Sequence, residues 1–337
     1  MKAAIKRILR KTRALDIVSR LTGKDRVEIL LYHGLRSGST DDPKLSRLMP
    51  VEQFEEQVRI FARYSRPLRL EELSGRPRSG IILTFDDGYA SNYHLAFPIL
   101  QKYQFPATVF VATGFVDRAV PLWPDWLDFL IGSARGRAGV FEDGGKRFAL
   151  RVESSADAIR TGRELRRYLS SLPVDAIHEF LRNLESYLQA RYGWDAIPAE
   201  LHPLSWHQIR AMRDSGIVSF GSHTVSHPVL SRCTEQAQRT ELVESKQRLE
   251  AELGQECLAF AYPFGKHSDY TNSTRQIVRE CGYKIAVTTE PGCNRPSAWD
   301  VYELNRWGTD ISSDDLSFVV SGGPVITQHL GHLFQHA

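Results

Sequence analysis

Long hydrophobic runs and a strong net charge are both missing from this sequence of 337 residues. A membrane-spanning helix needs about 20 mostly apolar residues in a row, and no segment here approaches that length. The 43 basic and 40 acidic side chains leave a formal charge of +3, which is too small to indicate a nucleic-acid partner. Since 42% of the residues are hydrophobic, the chain can bury a full core, as one large α/β domain or as a domain with a sizeable insertion.

Cysteines are scarce and are not arranged in pairs. The chain has four, at Cys233, Cys257, Cys281 and Cys293, with no C-x-x-C motif among them. Their spacing indicates neither a disulfide framework nor a zinc site made of thiolates. We therefore expect reduced, mostly packed thiols, as in a cytoplasmic protein.

Residues 1–26 are basic and lack the uninterrupted apolar core of a secretory signal. Six Lys or Arg side chains precede the first acid, Asp16, and apolar residues recur at helical spacing, which predicts a basic amphipathic helix. Two interpretations stay open: the helix packs on the domain with its basic face in water, or it contacts an anionic membrane peripherally. We expect the protein in the cytoplasm, with attachment to the membrane face as the alternative.

From residue 27 to residue 337, strand-like and helix-like segments alternate, which predicts one α/β domain built on a parallel sheet or barrel. The alternation of strand-like and helix-like segments is interrupted between about residues 116 and 204. There the sequence predicts a tryptophan-rich turn (LWPDW), a hairpin (VFEDGGKRFAL) and helical stretches rich in Arg and Leu. We interpret this segment as a mostly helical insertion, after which the alternation resumes.

Three polar clusters follow predicted strands directly. They are TFDDG at 84–88, SFGSHTVSH at 219–227 and FAYPFG at 260–265. In βα architectures the working residues lie on loops at the carboxyl ends of the strands, so we expect the three clusters to meet at one rim.

Each cluster has a structural and a functional interpretation. Asp86 and Asp87 are ordinary turn or helix-cap residues after a strand, and His223 and His227 are equally compatible with surface or core positions. Histidines four apart can also bind one metal ion, although Pro228 disfavours a helix here and favours a tight turn. Taken together, two histidines and one carboxylate could form a metal site with an open coordination position. The second carboxylate would then be available to accept and donate protons.

These motifs resemble those of a known family. TFDDG, SHTVSHPVLS at 222–231 and the Tyr262-Pro263-Phe264-Gly265 loop are similar to the motifs of polysaccharide deacetylases with a NodB homology domain, carbohydrate esterase family 4. The resemblance runs from about residue 31 to residue 307, interrupted by the insertion. It implies a distorted (β/α) barrel.

The resemblance also implies roles for single residues. Asp86 would be the general base, and Thr224 would brace the histidine loop. The backbone N–H of Phe264 would stabilise an oxyanion. The ligands of a divalent ion, first of all Zn²⁺ with Co²⁺ or Mn²⁺ as alternatives, would be Asp87, His223 and His227.

Two positions depart from the family pattern. The family has a histidine as general acid in a late L-x-H motif, whereas this chain has Leu304-Asn305-Arg306, and arginine is a poor acid at neutral pH. The family also has an arginine that helps to hold the base where this chain has Ala261. Candidate replacements are His33 as proton donor, with Arg306 orienting Asp86, or protonated Asp86 itself. For His33, a hydrogen-bonded position at a strand end is the competing interpretation.

Aromatic side chains suggest where a sugar would bind. Trp123 and Asp125 in LWPDW resemble the tryptophan and aspartate near the family's acetyl pocket, and packing in a core is the alternative. Tyr262, Pro263 and Phe264 complete the predicted substrate contacts.

The sequence thus predicts a metal-dependent deacetylase of an acetamido sugar in a polysaccharide, an oligosaccharide, or a lipid- or nucleotide-linked glycan intermediate. Two alternatives are a metal-dependent hydrolase of another acyl or cyclic amide and a catalytically impaired carbohydrate-binding homologue.

Overall fold

A curled, all-parallel sheet of seven strands forms the centre of the protein, in the order β10-β9-β8-β5-β4-β1-β11. The computed structural model describes residues 26–38, 48–75, 79–118, 121–309 and 316. The predicted helix at 1–26 therefore lies outside the described residues, except for Arg26. The strands of the main sheet are β1 (Val27–Tyr32), β4 (Gly80–Phe85), β5 (Ala107–Val111), β8 (Val218–Ser222), β9 (Ala259–Ala261), β10 (Ile285–Val287) and β11 (Trp307–Gly308).

The other elements cover the faces and one edge of this sheet. Two short strands, β2 (Leu35–Arg36) and β3 (Met49–Pro50), pair with each other, as do the hairpin strands β6 (Ala138–Asp143) and β7 (Lys146–Arg151). The helices are α1 (Val51–Tyr64), α2 (Phe97–Tyr103), α3 (Thr113–Val116), α4 (Trp123–Ser133), α5 (Ser155–Leu169), α6 (Val174–Leu188), α7 (Trp206–Asp214), α8 (Glu235–Leu253) and α9 (Asn272–Glu280).

The two outer edges of the sheet approach each other. Val287 in β10 forms an isolated parallel bridge with Leu304, three residues before β11 begins. On its other side β11 pairs with β1 in parallel, with Leu30 opposite Trp307. The sheet therefore curls toward a barrel.

The strands of the sheet are buried on both faces, as parallel strands in α/β proteins usually are. All six residues of β1 and all five of β5 are buried. Helices α1, α2, α7 and α8 pack their apolar residues on the outside of the sheet, where Phe54, Leu100, Ile209 and Leu249 join the largest core cluster.

Residues 123–201 pack around a second apolar core, which Leu48, Tyr89, Ala112 and Phe115 join from outside the segment. Helices α4, α5 and α6 and the hairpin β6–β7 enclose Phe141, Phe180 and Leu184. The chain then returns to the barrel, where the Leu204 N–H donates to the Gly88 carbonyl at 2.8 Å. The segment interpreted as an insertion is thus fastened directly beside Asp86 and Asp87.

One local prediction in this segment was wrong. The LWPDW stretch, expected as a turn, begins helix α4 at Trp123, with Pro124 in the first turn. Proline is tolerated there because the first helical N–H groups have no partner within the helix. Proline therefore marks the start of this helix and does not interrupt it.

Among the described residues, no helix is both long enough and apolar enough to cross a membrane.

Candidate active site

The three polar clusters meet at one rim of the sheet, where β4, β8 and β9 end. Asp86 follows Phe85 at the end of β4, His223 follows Ser222 at the end of β8, and Tyr262 follows Ala261 at the end of β9. Parallel neighbours end on the same side of a sheet, so strand order alone places these loops together. In the computed structure they surround Asp86 and Asp87.

Asp86 is held by Arg306 in a buried, two-point ion pair. Nη1 of Arg306 donates to Oδ1 of Asp86 and Nη2 donates to Oδ2, both at 2.7 Å. The guanidinium also donates from Nε to the Thr288 carbonyl at 2.6 Å and from Nη1 to Thr84 Oγ1 at 3.1 Å. A guanidinium presents its donors in a rigid plane, so this arrangement fixes the rotation of the carboxylate.

The ion pair decides the charge of Asp86. Burial by itself raises the pKa of this carboxyl, but the charge and hydrogen bonds of Arg306 outweigh burial, and His223 adds to their effect. The pKa of Asp86 falls to about 2. Asp86 is therefore a carboxylate near neutral pH and can accept a proton.

Asp87, His223 and His227 bring three potential metal ligands together. Oδ1 of Asp87 lies 3.6 Å from Nε2 of His223 and 3.5 Å from Nε2 of His227. All three side chains are buried, and their ligand atoms lie within 4.8 Å of one another. Ligands about 2.0–2.2 Å from a tetrahedral ion are separated from each other by roughly 3.4 Å, so the spacing suits a single ion.

The hydrogen bonds around this group also fit a metal ion. No donor among the described residues bonds to the buried Oδ1 of Asp87, and an acceptor left in this way suits a cation. Nδ1 of His223 lies 2.8 Å from the Ala261 carbonyl, which can only accept, so Nδ1 carries the proton and Nε2 keeps a free lone pair. Burial lowers the pKa of His223 to about 4, although Asp86 and Asp87 oppose this, so the ring is neutral near pH 7.

The backbone at the rim is unusual for residues other than glycine. Four site residues have positive φ angles: Asp87 at 75°, Thr224 at 67°, His227 at 56° and Phe264 at 59°. This left-handed region is unfavourable for side chains with a Cβ, and such residues persist only where the surroundings hold them. The loops at the rim are therefore held in place by their contacts.

Phe264 lies over the metal-binding group. Its ring packs 4.9 Å from that of His227 and 5.6 Å from that of Trp123, measured between ring centres. No described carbonyl or side chain accepts a hydrogen bond from its backbone N–H. That N–H is the donor expected for an oxyanion, and Pro263 before it is buried and supplies no N–H of its own.

Tyr262 needs a correction. Its side chain was expected to contact substrate, but it is 0% exposed. Its ring stacks on Tyr270 at 4.3 Å and its hydroxyl donates to the Tyr302 carbonyl at 3.0 Å. Tyr262 therefore belongs to the largest core cluster, between the sheet and the helices that cover it.

Trp123 and Asp125 lie in the first turn of α4, where Trp123 packs against Phe264. Trp123 is fully buried, and its indole N–H has no described partner. Asp125 is buried and accepts a hydrogen bond from the Tyr89 hydroxyl at 2.8 Å. Nothing in the sequence pattern links Tyr89 to an aspartate 36 residues away.

His33 is exposed at the end of β1 and lines an open cavity of about 700 Å³. Its backbone carbonyl accepts from Nδ2 of Asn92 at 2.8 Å, and its ring is close enough to lower the pKa of Asp86 slightly. His267, in contrast, is held by Tyr270 and Glu290 away from the metal-binding group.

Comparison with known proteins agrees with this site. A family model described as polysaccharide deacetylase matches residues 74–286, which is more than half of the chain. YxkH of Bacillus subtilis (strain 168), named after the same family, is 23% identical over 275 residues, covering 79% of this chain and 66% of YxkH. The chain thus spans slightly less than two thirds of that relative.

Two further comparisons concern a shorter match and the fold. The poly-beta-1,6-N-acetyl-D-glucosamine N-deacetylase of Escherichia coli (strain K12) is 41% identical over 61 residues, which are 18% of this chain and 8% of that protein. The solved structure of Streptococcus pyogenes deacetylase PplD in complex with acetate superposes with a TM-score of 0.56 at 22% identity, covering 87% of this chain and 97% of that chain. The likeness to PplD shows the fold.

The predicted family and the barrel fold are thereby confirmed. The division into a domain at 27–337 and an insertion at about 116–204 stays a prediction. By its match over residues 74–286, the chain belongs to the polysaccharide deacetylase family.

Proposed function

We propose that the protein is a metal-dependent N-deacetylase that hydrolyses the acetamido group of a sugar. The observation that carries this proposal is the group of Asp87, His223 and His227 beside Asp86, which Arg306 keeps charged. The family membership supports it, and one relative is named for N-deacetylation of an N-acetylglucosamine polymer.

The residues that would hold the ion are Asp87, His223 and His227. A carboxylate with two imidazoles suits Zn²⁺ first, and Co²⁺ or Mn²⁺ as alternatives. When bound, such an ion polarises the amide carbonyl and makes water more acidic.

Asp86 is the proton acceptor in this proposal. An attacking water must lose a proton, and Asp86 is the charged carboxylate next to the metal-binding group, with Oδ2 3.9 Å from Nε2 of His223. Arg306 would hold the carboxylate in one orientation during the reaction. The N–H of Phe264 would donate to the oxyanion that forms on the former carbonyl, a contact worth on the order of a hundredfold in rate in other hydrolases.

The leaving amine needs a proton. His33 is the proposed donor because it is a histidine at the same rim, exposed to the cavity from which a sugar would enter. Asp86 in its protonated form is the alternative, since it has just received a proton. A His33→Gln variant that keeps wild-type turnover would assign the step to Asp86.

An Asp86→Asn variant tests the proposal. We expect zinc-loaded wild-type protein to release acetate from N-acetylated oligosaccharides or sugar nucleotides, and the variant to be slower by about 10²–10⁴-fold because the base is lost. The control is Asp195→Asn, an exposed aspartate remote from the rim in sequence, with metal content and melting temperature measured for each protein.

The same experiment distinguishes the deacetylase from the two alternative functions. Hydrolysis of cyclic amides without release from any acetamido sugar would favour the hydrolase of another amide. Sugar binding without turnover, at full metal occupancy, would favour an impaired carbohydrate-binding homologue.

For the finer substrate assignment we propose a phosphate-bearing acetamido sugar, such as a lipid- or nucleotide-linked glycan intermediate. The cavity beside His33 supports this because Arg36 is among its lining residues and none of its described lining residues is a carboxylate. Its volume of about 700 Å³ is that of a site for a small organic ligand.

Arg36→Gln tests this assignment by comparing two substrates. We expect KM for a uridine-diphosphate-linked N-acetyl sugar to rise about tenfold or more, and KM for an uncharged N-acetylated oligosaccharide to stay unchanged. Arg36→Lys, which keeps the charge, should restore part of the difference. Equal changes for both substrates would contradict the phosphate assignment and leave the deacetylase proposal intact.

Peripheral membrane contact through residues 1–26, with location in the cytoplasm, is proposed from the sequence alone.

A further inference from the structure

We propose that Glu241 is the positioning residue for the metal-binding histidine loop, fixing the backbone so that His227 faces Asp87. The inference rests on the proposed function in one respect only, the binding of an ion by Asp87, His223 and His227. It assigns a role to a residue outside every recognised motif.

Glu241 makes three hydrogen bonds to the loop between the two histidines. Oε2 accepts from the backbone N–H of Val225 at 2.7 Å and of Ser226 at 2.9 Å. Oε1 accepts from the Ser226 hydroxyl at 2.5 Å. Both oxygens of the carboxylate are therefore engaged, and hydrogen bonds to a charged acceptor are stronger than neutral ones.

This loop needs such support because its backbone is strained at both ends. Thr224 and His227 flank the two residues that Glu241 holds, and both have left-handed φ angles. His227 also precedes Pro228, which disfavours the helical conformation at His227. The loop therefore relies on contacts from outside itself to keep its conformation.

Neighbouring elements complete the support. The N–H groups of Thr113 and Gly114, at the start of α3, donate to the carbonyls of Thr224 and Val225 at 3.1 and 3.0 Å. A side chain at position 114 would bring its Cβ within 2.8 Å of the Val225 carbonyl oxygen. Helix α3 thus binds the carbonyls of the loop, and Glu241 binds its N–H groups.

Glu241 is well placed because its helix also holds the strand before the loop. Ser245, one turn further along α8, hydrogen-bonds through its hydroxyl to that of Ser222 at 2.6 Å, directly before His223. Residues four apart lie on the same face of a helix. One face of α8 therefore fixes the end of β8 and the loop that follows it.

The expected consequence concerns metal affinity. Partners that orient metal ligands typically change affinity by 10–100-fold when they are removed. Without Glu241, two backbone N–H groups lose their acceptor and the loop can relax, which moves the His227 ring away from Asp87. A residue that served stability alone would lower the melting temperature without this loss.

Glu241→Ala, Glu241→Gln and Ser226→Ala test the proposal in the full-length protein. We expect Glu241→Ala to weaken Zn²⁺ binding 10–100-fold in competition with a chromophoric chelator, and to change the visible spectrum of bound Co²⁺. Glu241→Gln keeps one carbonyl oxygen for the backbone N–H groups, so its loss should be intermediate. Ser226→Ala removes one contact and should cost less than about threefold.

Glu244→Ala is the matched control, because Glu244 lies on the same helix and is exposed. Its affinity should equal that of the wild type. If Glu241→Ala fails to fold, Zn²⁺ affinity is measured on Glu241→Gln and Ser226→Ala instead. Both variants keep an acceptor for the backbone N–H groups of the loop.

Unchanged Zn²⁺ affinity in the Glu241 variants would overturn the inference, as would a loss that Glu244→Ala shows equally. The proposed function is tested separately, by acetate release from the wild-type protein. A wild-type protein that binds Zn²⁺ but releases no acetate would contradict the deacetylase and leave the role of Glu241 supported by its affinity data. A wild-type protein that binds neither ion would overturn both.

Discussion

The rim that carries Asp87, His223 and His227 differs from the helical segment at 123–201 in where its charged side chains lie. At the rim Arg306 is 0% exposed and Asp86 2% exposed, and they neutralise each other inside the protein. In the helical segment most buried residues are apolar, with Asp125 and Thr161 as exceptions, and the ion pair of Arg147 with Glu142 lies on the surface. Charges buried in pairs are costly to separate, whereas surface pairs contribute little.

The two regions also differ in how many residues other than glycine adopt left-handed φ angles. At the rim four site residues hold left-handed φ angles within irregular loops. In the helical segment, Gln189 has such an angle, and it caps the end of α6, where the left-handed conformation is common. The rim is thus specified by its tertiary contacts, and the helical segment by periodic burial of apolar residues.

Replacing Arg306 by Met is expected to produce the largest effect on the rim. It leaves the buried Asp86 carboxylate without its partner, which costs about 3–5 kcal/mol of unfolding free energy. Turnover should fall at least about a hundredfold in kcat with a smaller change in KM, since Asp86 loses its orientation. Urea denaturation and acetate-release kinetics measure the two effects.

Arg306→Lys provides the matched control. Lysine keeps the charge but cannot make two parallel hydrogen bonds, so it should recover more of the stability than of the turnover. A variant that recovers both fully would show that charge alone holds Asp86.

Replacing Phe180 by Ala tests the helical segment. Phe180 is buried against Phe141 and Phe148 at 5.2 Å from each, measured between ring centres. Removing it should lower the unfolding free energy of this region by about 3–5 kcal/mol. Zn²⁺ affinity should stay near the wild-type value, because the metal ligands belong to the barrel.

Arg147→Ala is the surface control for this region and should change the unfolding free energy by less than about 0.5 kcal/mol. Loss of Zn²⁺ affinity in Phe180→Ala would show that the interior packing of the helical segment also positions Asp87, His223 and His227.

The smallest expected effect concerns pH. Burial, with a smaller contribution from Arg182, lowers the pKa of His178 in α6 below its usual 6.5. Below pH 6.5 the unfolded chain therefore takes up a proton that the folded protein does not, so folding stability falls as the pH decreases. His178→Gln should have a flatter dependence of melting temperature on pH between about 7 and 5, while an unchanged slope would contradict the assignment.

The secondary structure was largely predictable because it follows local periodicity. The apolar run from Val27 forms β1, and the helix-like stretch that begins at Glu235 forms the long helix α8, whose Thr234 cap only the structure shows. The turn expected at LWPDW was wrong, because this stretch begins helix α4, with Pro124 in its first turn.

The sequence by itself determined the family and the residue types of the metal-binding group, since Asp87, His223 and His227 lie in two short motifs. Tertiary structure decided which distant residues serve them. The sequence offered Arg306 as one candidate for orienting Asp86, and the fold brings the two together across 220 residues. The Ala261 carbonyl, which no side-chain pattern can reveal, sets the protonation of His223. Tyr262 lies directly after β9 and packs with Phe260 in the core cluster between the sheet and its helices. A motif fixes chemistry over a few residues, whereas the partners of a buried charge depend on how the strands lie next to one another.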